Sequence, residues 1–172
     1  MIEAPIPSNE SDRMKRVRAM GVLDNLEPDP RFDELTKMAT ERFDVPISTL
    51  TILDEKKEHY KSCYGLDVKE GERAISFCGH ALLAKDISII PDCTKDERFK
   101  DNPMVVGAPF IRFYAGIALY DYSTRFPIAV FCIKDTKARQ LSVKETGLFL
   151  SIATRAEEIL NGVSKENLTP IL

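Results

Sequence analysis

The sequence predicts an α+β fold in which helices pack against one antiparallel β-sheet. Its elements follow the order α-α-β-β-α-β-β-β-α, and two of the four connections between consecutive strands are of hairpin length, which favours antiparallel pairing. The chain has 172 residues, close to the length of one ordinary domain of about 150 residues. A chain of this size can bury a sufficient core without disulfide or metal.

Capping residues and apolar periodicity predict the first two helices. Ser8 or Ser11 can cap a first helix that continues to about Met20. Asp29 and Pro30 have the residue types that favour the cap and the first turn of a second helix. Its buried face is predicted from apolar residues at helical spacing, namely Phe32, Leu35, Ala39 and Phe43.

Five segments have the composition of β-strands. Ile47–Leu53 is apolar or β-branched, and His59–Tyr64 returns after a polar turn. Ile87–Ile90 is a short third strand. Phe113–Leu119 and Pro127–Ile133 are nearly continuous apolar runs, so we expect them at the centre of the sheet.

The remaining segments separate into helices and loops. Leu66–Ala74 is charged and predicted to be a surface loop, whereas Ser76–Ala84 is predicted to form a short helix. Asp92–Pro109 is irregular and long, and ordered loops of this kind often carry binding residues. A capping box at Ser142 begins the last helix, which ends before Gly162.

These boundaries predict a single domain with two loose ends. We expect residues 1–12 to form a flexible N-terminal segment and residues 13–162 to form the domain, including both terminal helices. Residues 163–172 are expected to form a loose C-terminal tail. No linker, repeat or low-complexity segment divides the chain.

Composition excludes several classes of protein. The 24 basic and 27 acidic residues give a net charge of −3, so we expect no nucleic-acid partner. The apolar runs are much shorter than the ~20 residues that span a bilayer, and the N-terminus lacks the features of a secretory signal. The sequence therefore predicts a cytoplasmic protein without a membrane partner, whose four cysteines are reduced.

Known catalytic signatures are absent, and one short motif deserves comparison with them. Cys78 and His80 open the short third helix, where unpaired N–H groups would lower the pKa of a thiol. A redox enzyme would use Cys78 as nucleophile, with Cys63 or Cys93 resolving it. The alternative is a half-buried cysteine that packs beneath the sheet. A zinc site would need these three cysteines and His80, but it lacks any Cys-x-x-Cys pair, so we expect no metal.

The start of the fourth predicted strand combines a cation, two aromatic residues and a glycine. Arg112, Phe113 and Tyr114 can form a pocket wall, and Gly116 would let a ligand approach the backbone. The alternative is that an aromatic ring packs in the core and that Arg112 pairs with an aspartate. Both interpretations can hold together.

Over most of its length the chain resembles a GAF domain, a relative of PAS sensory domains. It is most similar to the branch found ahead of histidine kinases and diguanylate cyclases. The resemblance is carried by short segments in a shared order: Met20-Gly21-Val22-Leu23-Asp24, Phe32-Asp33-Glu34-Leu35-Thr36, Val45-Pro46-Ile47, Ser76-Phe77-Cys78-Gly79-His80-Ala81, Pro91-Asp92, Asp96-Glu97-Arg98-Phe99, Asp101-Asn102-Pro103 and Ile111-Arg112-Phe113-Tyr114-Ala115-Gly116.

The resemblance implies a profilin- or PAS-like antiparallel sheet of five or six strands with flanking helices and a cleft beneath the third helix and the long loop. It also implies a non-enzymatic sensor that binds a small molecule or a partner protein, with an unknown cofactor. The expected ligand-binding residues are Phe77, Cys78, His80, Asp92, Arg98, Arg112, Phe113 and Tyr114. The Asn-Lys-x-Phe-Asp-Glu signature of cyclic-nucleotide GAF domains is absent.

Two other functions remain open alongside the sensor. One is a thiol redox enzyme of the free methionine sulfoxide reductase type that uses Cys78, and the other is a dimerisation scaffold without a ligand. We also expect a homodimer through the terminal helices, because Met14, Val17 and Leu148 add apolar surface that one sheet face cannot cover. A signalling output protein is a further possible partner.

Overall fold

A six-stranded antiparallel sheet forms the centre of the computed structural model, which describes residues 1–172. Its order is β3-β2-β1-β6-β5-β4, and every neighbouring pair is antiparallel. This confirms the predicted α+β class. The strands are β1 (Ile47–Leu53), β2 (Lys57–Tyr64), β3 (Glu70–Glu72), β4 (Ser88–Ile90), β5 (Phe113–Tyr120) and β6 (Pro127–Asp135).

Helices cover both faces of the sheet. Three of them, α1 (Glu10–Ala19), α2 (Pro30–Phe43) and α5 (Val143–Leu160), pack on one face, which we call the helical face. The short helices α3 (Phe77–Ala81) and α4 (Pro103–Val106) pack on the other, which we call the cleft face.

Side-chain alternation along the central strands divides the interior into two cores. On β6, Phe131 and Ile133 point into the core beneath the long helices, whereas Val130 and Cys132 point toward α3. Successive residues of a strand point to opposite faces, so one apolar run can serve both cores. This explains why β5 and β6 are nearly continuous in apolar residues, as expected for central strands.

Local signals place some helix boundaries correctly and others not. The Asp29 side chain accepts from the Arg31 amide at the start of α2, and Ser142 forms the predicted capping box at the start of α5. The expected serine cap of α1 is wrong, because Asn9 holds that position without a side-chain hydrogen bond. The predicted surface loop contains β3, which pairs with β2 through the backbone.

Both ends of the chain pack on the domain, in contrast to the predicted flexible and loose segments. The Ile2 amide donates to the Arg98 carbonyl (3.2 Å), and Ala4 is buried beside α3. In the C-terminal tail, Leu168 and Ile171 pack against the core of the helical face. The apolar contacts of the two ends come from isolated residues. Their spacing has neither the helical nor the strand period, so the sequence did not predict them.

Gly147 offers a simple test of the packing of α5. It lies inside the helix, and the nearest atom to an added Cβ would be a methyl of Leu172 at 3.9 Å. Because glycine in a helix interior costs about 0.5–1 kcal/mol relative to alanine, Gly147→Ala is expected to raise the unfolding free energy by that amount. Urea denaturation with an unchanged m-value measures it.

Gly162 provides the matched control for this substitution. It follows α5 with φ +75°, a conformation in which alanine is strained, so Gly162→Ala is expected to lower stability by about 1 kcal/mol. A Gly147→Ala variant that is no more stable than the wild type would contradict the expectation.

Candidate functional site

An aromatic stack fills the cleft face beneath α3. The Phe77 ring stacks on Phe99 with centroids 4.4 Å apart and on Tyr114 at 5.1 Å. All three side chains are almost fully buried. The space directly beneath α3 is therefore occupied by the chain's own side chains.

Cys78 lies in this packed region and not at an exposed helix end. Its Sγ is 3.9 Å from the Cys132 Sγ, 3.6 Å from the Tyr114 hydroxyl and 3.7 Å from the Thr51 hydroxyl. The hydrogen bond to Cys132 and burial raise the pKa of the Cys78 thiol well above its usual value. The expected lowering of this pKa by the helix end is thus wrong, since α3 has five residues and burial outweighs its dipole.

His80 and Asp92 bind other parts of the same chain. The Nε2 of His80 donates to the Ile2 carbonyl (2.9 Å), and burial lowers the pKa of this imidazole. Asp92 caps a short helical turn by accepting from the Thr94 amide (3.1 Å) and hydroxyl (2.6 Å). Both side chains thereby hold the chain around α3 and the long loop.

The two arginines expected in the site also have partners within the chain. Arg98 pairs with Asp96 at 2.7 Å and stacks over the Phe99 ring. Arg112 donates to the Val105 carbonyl at 2.9 Å and so braces α4 against the start of β5. Neither arginine lines the cavity described next.

A cavity of about 410 Å³ opens beside the aromatic stack, between β2, the segment around β3 and the 102–109 stretch. Phe77 is the one residue of the expected site that lines it. The other lining residues are Glu58, Tyr60, Leu66, Val68, Glu70, Gly71, Glu72, Ile75, Ser76, Asn102, Met104, Ala108 and Pro109. The volume falls within the range of small-molecule sites.

Glu58 supplies a buried carboxyl group to the wall of this cavity. The residue is 5% exposed, its Oε1 accepts from the Tyr60 hydroxyl at 2.7 Å, and its Oε2 has no hydrogen-bond partner. Burial and the Glu58 charge raise the pKa of Tyr60, so its hydroxyl remains a donor. A buried acceptor without a donor costs about 1–3 kcal/mol, more when charged, so a donor supplied from the cavity would be stabilised.

No family model matches the chain. Over 119 residues it is 40% identical to a cyclic di-GMP phosphodiesterase of Pseudomonas aeruginosa, an alignment that covers 69% of this chain and 20% of that protein. The chain thus spans about a fifth of the length of this curated relative.

Solved structures resemble the chain along nearly all of its length. The GAF domain of an Acinetobacter phosphoenolpyruvate-protein phosphotransferase aligns over 92% of this chain and 94% of its own, with 14% identity and a TM-score of 0.58. The Thermosynechococcus elongatus PixJ GAF domain aligns over 91% and 90%, with 10% identity and a TM-score of 0.59. The chain has the GAF fold.

An enzyme also has this fold. Free methionine-R-sulfoxide reductase from Neisseria meningitidis aligns over 98% of this chain and 99% of its own, with 12% identity and a TM-score of 0.62. At these identities the likeness concerns the fold, and the function must be argued from the site.

Phe113 and Gly116 have roles in this structure that differ from the expected pocket wall. Phe113 points into the core of the helical face, opposite to Tyr114, so it does not reach the cleft. Beside Gly116 lies the Tyr114 ring, whose hydroxyl would be 2.1 Å from an added Cβ. The open space at Gly116 therefore accommodates a side chain of the same strand, not a ligand.

Sequence reasoning missed Glu58 and Tyr60 because it placed Glu58 in a polar turn. The strand begins at Lys57, and alternation then puts Glu58 and Tyr60 on the same face. The prediction would have included Glu58 if the strand had been started at Lys57, two residues before His59. In the structure no group of three or more histidine, cysteine or acidic side chains could hold a metal ion, and no helix has the length and apolar character needed to cross a membrane.

Proposed function

We propose that this chain is a non-enzymatic sensory or regulatory GAF domain that binds a small molecule in the cavity beside β2. The observation that carries the proposal is a 410 Å³ cavity whose lining includes Glu58, a buried residue with one unpartnered carboxyl oxygen. Apolar walls with a few fixed polar groups are typical of ligand sites. A domain that only packed against itself would gain nothing from a buried, unpaired acceptor.

The similarity to a cyclic di-GMP phosphodiesterase supports a place in signal transduction. Because the matched region is a fifth of that protein, we propose that the domain regulates an output activity located elsewhere, in the same polypeptide or in a signalling partner. We expect this regulation to take place in the cytoplasm.

The three cysteines considered for catalysis, Cys63, Cys78 and Cys93, favour this binding role over redox catalysis. Burial raises the pKa of Cys63, and burial with nearby acidic charge raises the pKa of Cys93 to about 12. The thiol beside Cys78 is Cys132 and neither of the two expected resolving cysteines. Nucleophilic thiol chemistry requires an accessible thiolate, and Cys78 is fully buried.

The homodimer through the terminal helices stays a prediction. The apolar residues that suggested it have contacts within the subunit. Met14 and Val17 are buried within the subunit, and Leu148 packs against the same core. The tail residues Leu168 and Ile171 pack there as well. Much of the apolar surplus that suggested a second subunit is thus covered within one chain.

Filling the cavity from its rim tests the proposed function. Val68 lines the cavity and is 48% exposed, so tryptophan there can fill the space without disturbing the core. In a thermal-shift screen of a chemically diverse library, we expect binders that raise the Tm of the wild type and lose this effect with Val68→Trp.

The matched control is Val106→Trp on α4. Val106 is 63% exposed and does not line the cavity, so its variant should keep every wild-type shift. Binders that stabilise Val68→Trp as well as the wild type would contradict the site, and a library without any binder would contradict the function.

A further inference from the structure

We infer that the ligand of this cavity is an organic cation, an amine or amidine attached to an apolar body, whose N–H group donates to Glu58. The inference rests on the proposed function and specifies its ligand class.

The charges around the cavity favour a cation. Glu58, Glu70 and Glu72 line it, and no lysine, arginine or histidine does. Glu70 is paired with Lys57 at the exposed rim, whereas Glu72 has no ion-pair partner. Lys134 is buried nearby on β6 with its Nζ 5.8 Å from the Tyr60 ring centroid; it interacts electrostatically with Glu58 but does not line the cavity. An anionic ligand would meet these carboxylates with no basic side chain in the lining to receive it.

Among the buried side-chain atoms of the lining residues, Glu58 Oε2 is the one that lacks a partner. Asn102 uses its amide nitrogen on the Ile75 carbonyl (2.6 Å) and its oxygen on the Met104 amide (2.8 Å). Glu58 thus carries the one unused buried acceptor among the lining residues. A charged N–H donor suits a carboxylate best, because charge-assisted hydrogen bonds are the strongest.

Gly71 fixes the position of this carboxyl. An added Cβ there would lie 3.0 Å from Glu58 Oε1 and 3.3 Å from Glu58 Cγ. The Glu58 side chain thus lies close against the backbone of β3 and is held by Tyr60. Such a fixed acceptor is preorganised for one donor position.

The remaining walls accommodate an apolar body. They include the aliphatic Leu66, Val68 and Ile75, the Phe77 ring and the Met104 thioether. An aryl-alkyl amine matches this combination, since aromatic rings pack well against phenyl and thioether groups.

Phenethylamine, phenethyl alcohol and hydrocinnamate form a matched set of probes that share a phenylethyl body and differ in their polar end. Chemical shifts of ¹³C-methyl methionine can locate binding, because Met104 lines the cavity and Met14 lies in the other core. We expect phenethylamine to shift the Met104 signal and not the Met14 signal. Glu58→Gln should weaken this binding by about 10- to 100-fold.

Glu72→Gln is the matched control, because it removes the same charge from the exposed rim of the cavity. Its affinity for phenethylamine should change less than about threefold, as expected for an exposed charge. Equal binding by phenethyl alcohol or hydrocinnamate, or unchanged amine binding by Glu58→Gln, would overturn the cation and leave the cavity function standing. If none of the three probes shifts Met104, the cation class is also overturned. The diverse library then decides the proposed function separately.

Discussion

Glu10→Gln is expected to lower the unfolding free energy by about 3 kcal/mol, because it leaves two buried guanidinium groups without an anion. Glu10 accepts from Arg13 through two hydrogen bonds of 2.8 Å and also pairs with Arg73. Both arginines are almost fully buried. Arg13 also donates to the carbonyls of Leu53 and Pro127, so the cluster joins α1 to two strands of the sheet.

The same substitution should change the acid limb of the stability curve. Burial raises the pKa of Glu10, but hydrogen bonds from Arg13 and Arg73 outweigh burial and hold this pKa below its usual value. The stabilisation is therefore present above the unfolded pKa of about 4.3 and is lost as the pH falls through the folded pKa. Urea denaturation between pH 7 and pH 3 should show the variant and the wild type converging at low pH.

Glu41→Gln serves as the control for this experiment. Glu41 is 66% exposed and lies 3.9 Å from Lys37, so its loss should change stability by less than about 0.5 kcal/mol. A Glu10→Gln variant as stable as this control at pH 7 would show that the cluster does not hold α1. Arg73 begins a short helical turn, Arg73–Ile75, and directly follows the cavity residue Glu72, so this cluster also connects α1 to the cavity wall.

Local signals made much of the fold predictable from the sequence. The caps at Asp29 and Ser142 each need only residues within a few positions of one another. The apolar runs of β5 and β6 reflect burial on both faces. β3 could not be foreseen, because its three residues join the sheet through backbone pairing with β2, which leaves no side-chain pattern.

The site was harder to predict because its residues depend on which face each strand presents. Phe113 and Tyr114 were both expected in the pocket, yet neighbouring residues of a strand cannot share a face. The sequence does not reveal which of them meets the cleft until the helices are placed. Glu58 was missed for a different reason, since β2 begins at Lys57 and the predicted strand began only at His59.

Gly116→Ala is expected to lower the unfolding free energy by about 2–3 kcal/mol, the usual cost of overpacking a core. The added Cβ would lie 2.1 Å from the Tyr114 hydroxyl and 2.6 Å from its Cζ. The backbone of β5 cannot yield, because Gly116 is paired with Ser88 on one side and Cys132 on the other. The Tyr114 ring must therefore move, and its contacts with Phe77 and Cys78 must change.

A double-mutant cycle with Tyr114→Leu identifies the cause of this loss. If the Tyr114 ring is what excludes a side chain at position 116, the alanine should cost less than about 1 kcal/mol in the Tyr114→Leu background, and the two losses should be strongly non-additive. Urea denaturation of the four proteins measures the coupling. Additive losses would mean that Gly116 is required by the strand itself.

Because Phe77 lines the cavity and stacks on Tyr114, the Gly116→Ala variant should also bind cavity ligands more weakly. The helix variant Gly147→Ala should bind them like the wild type.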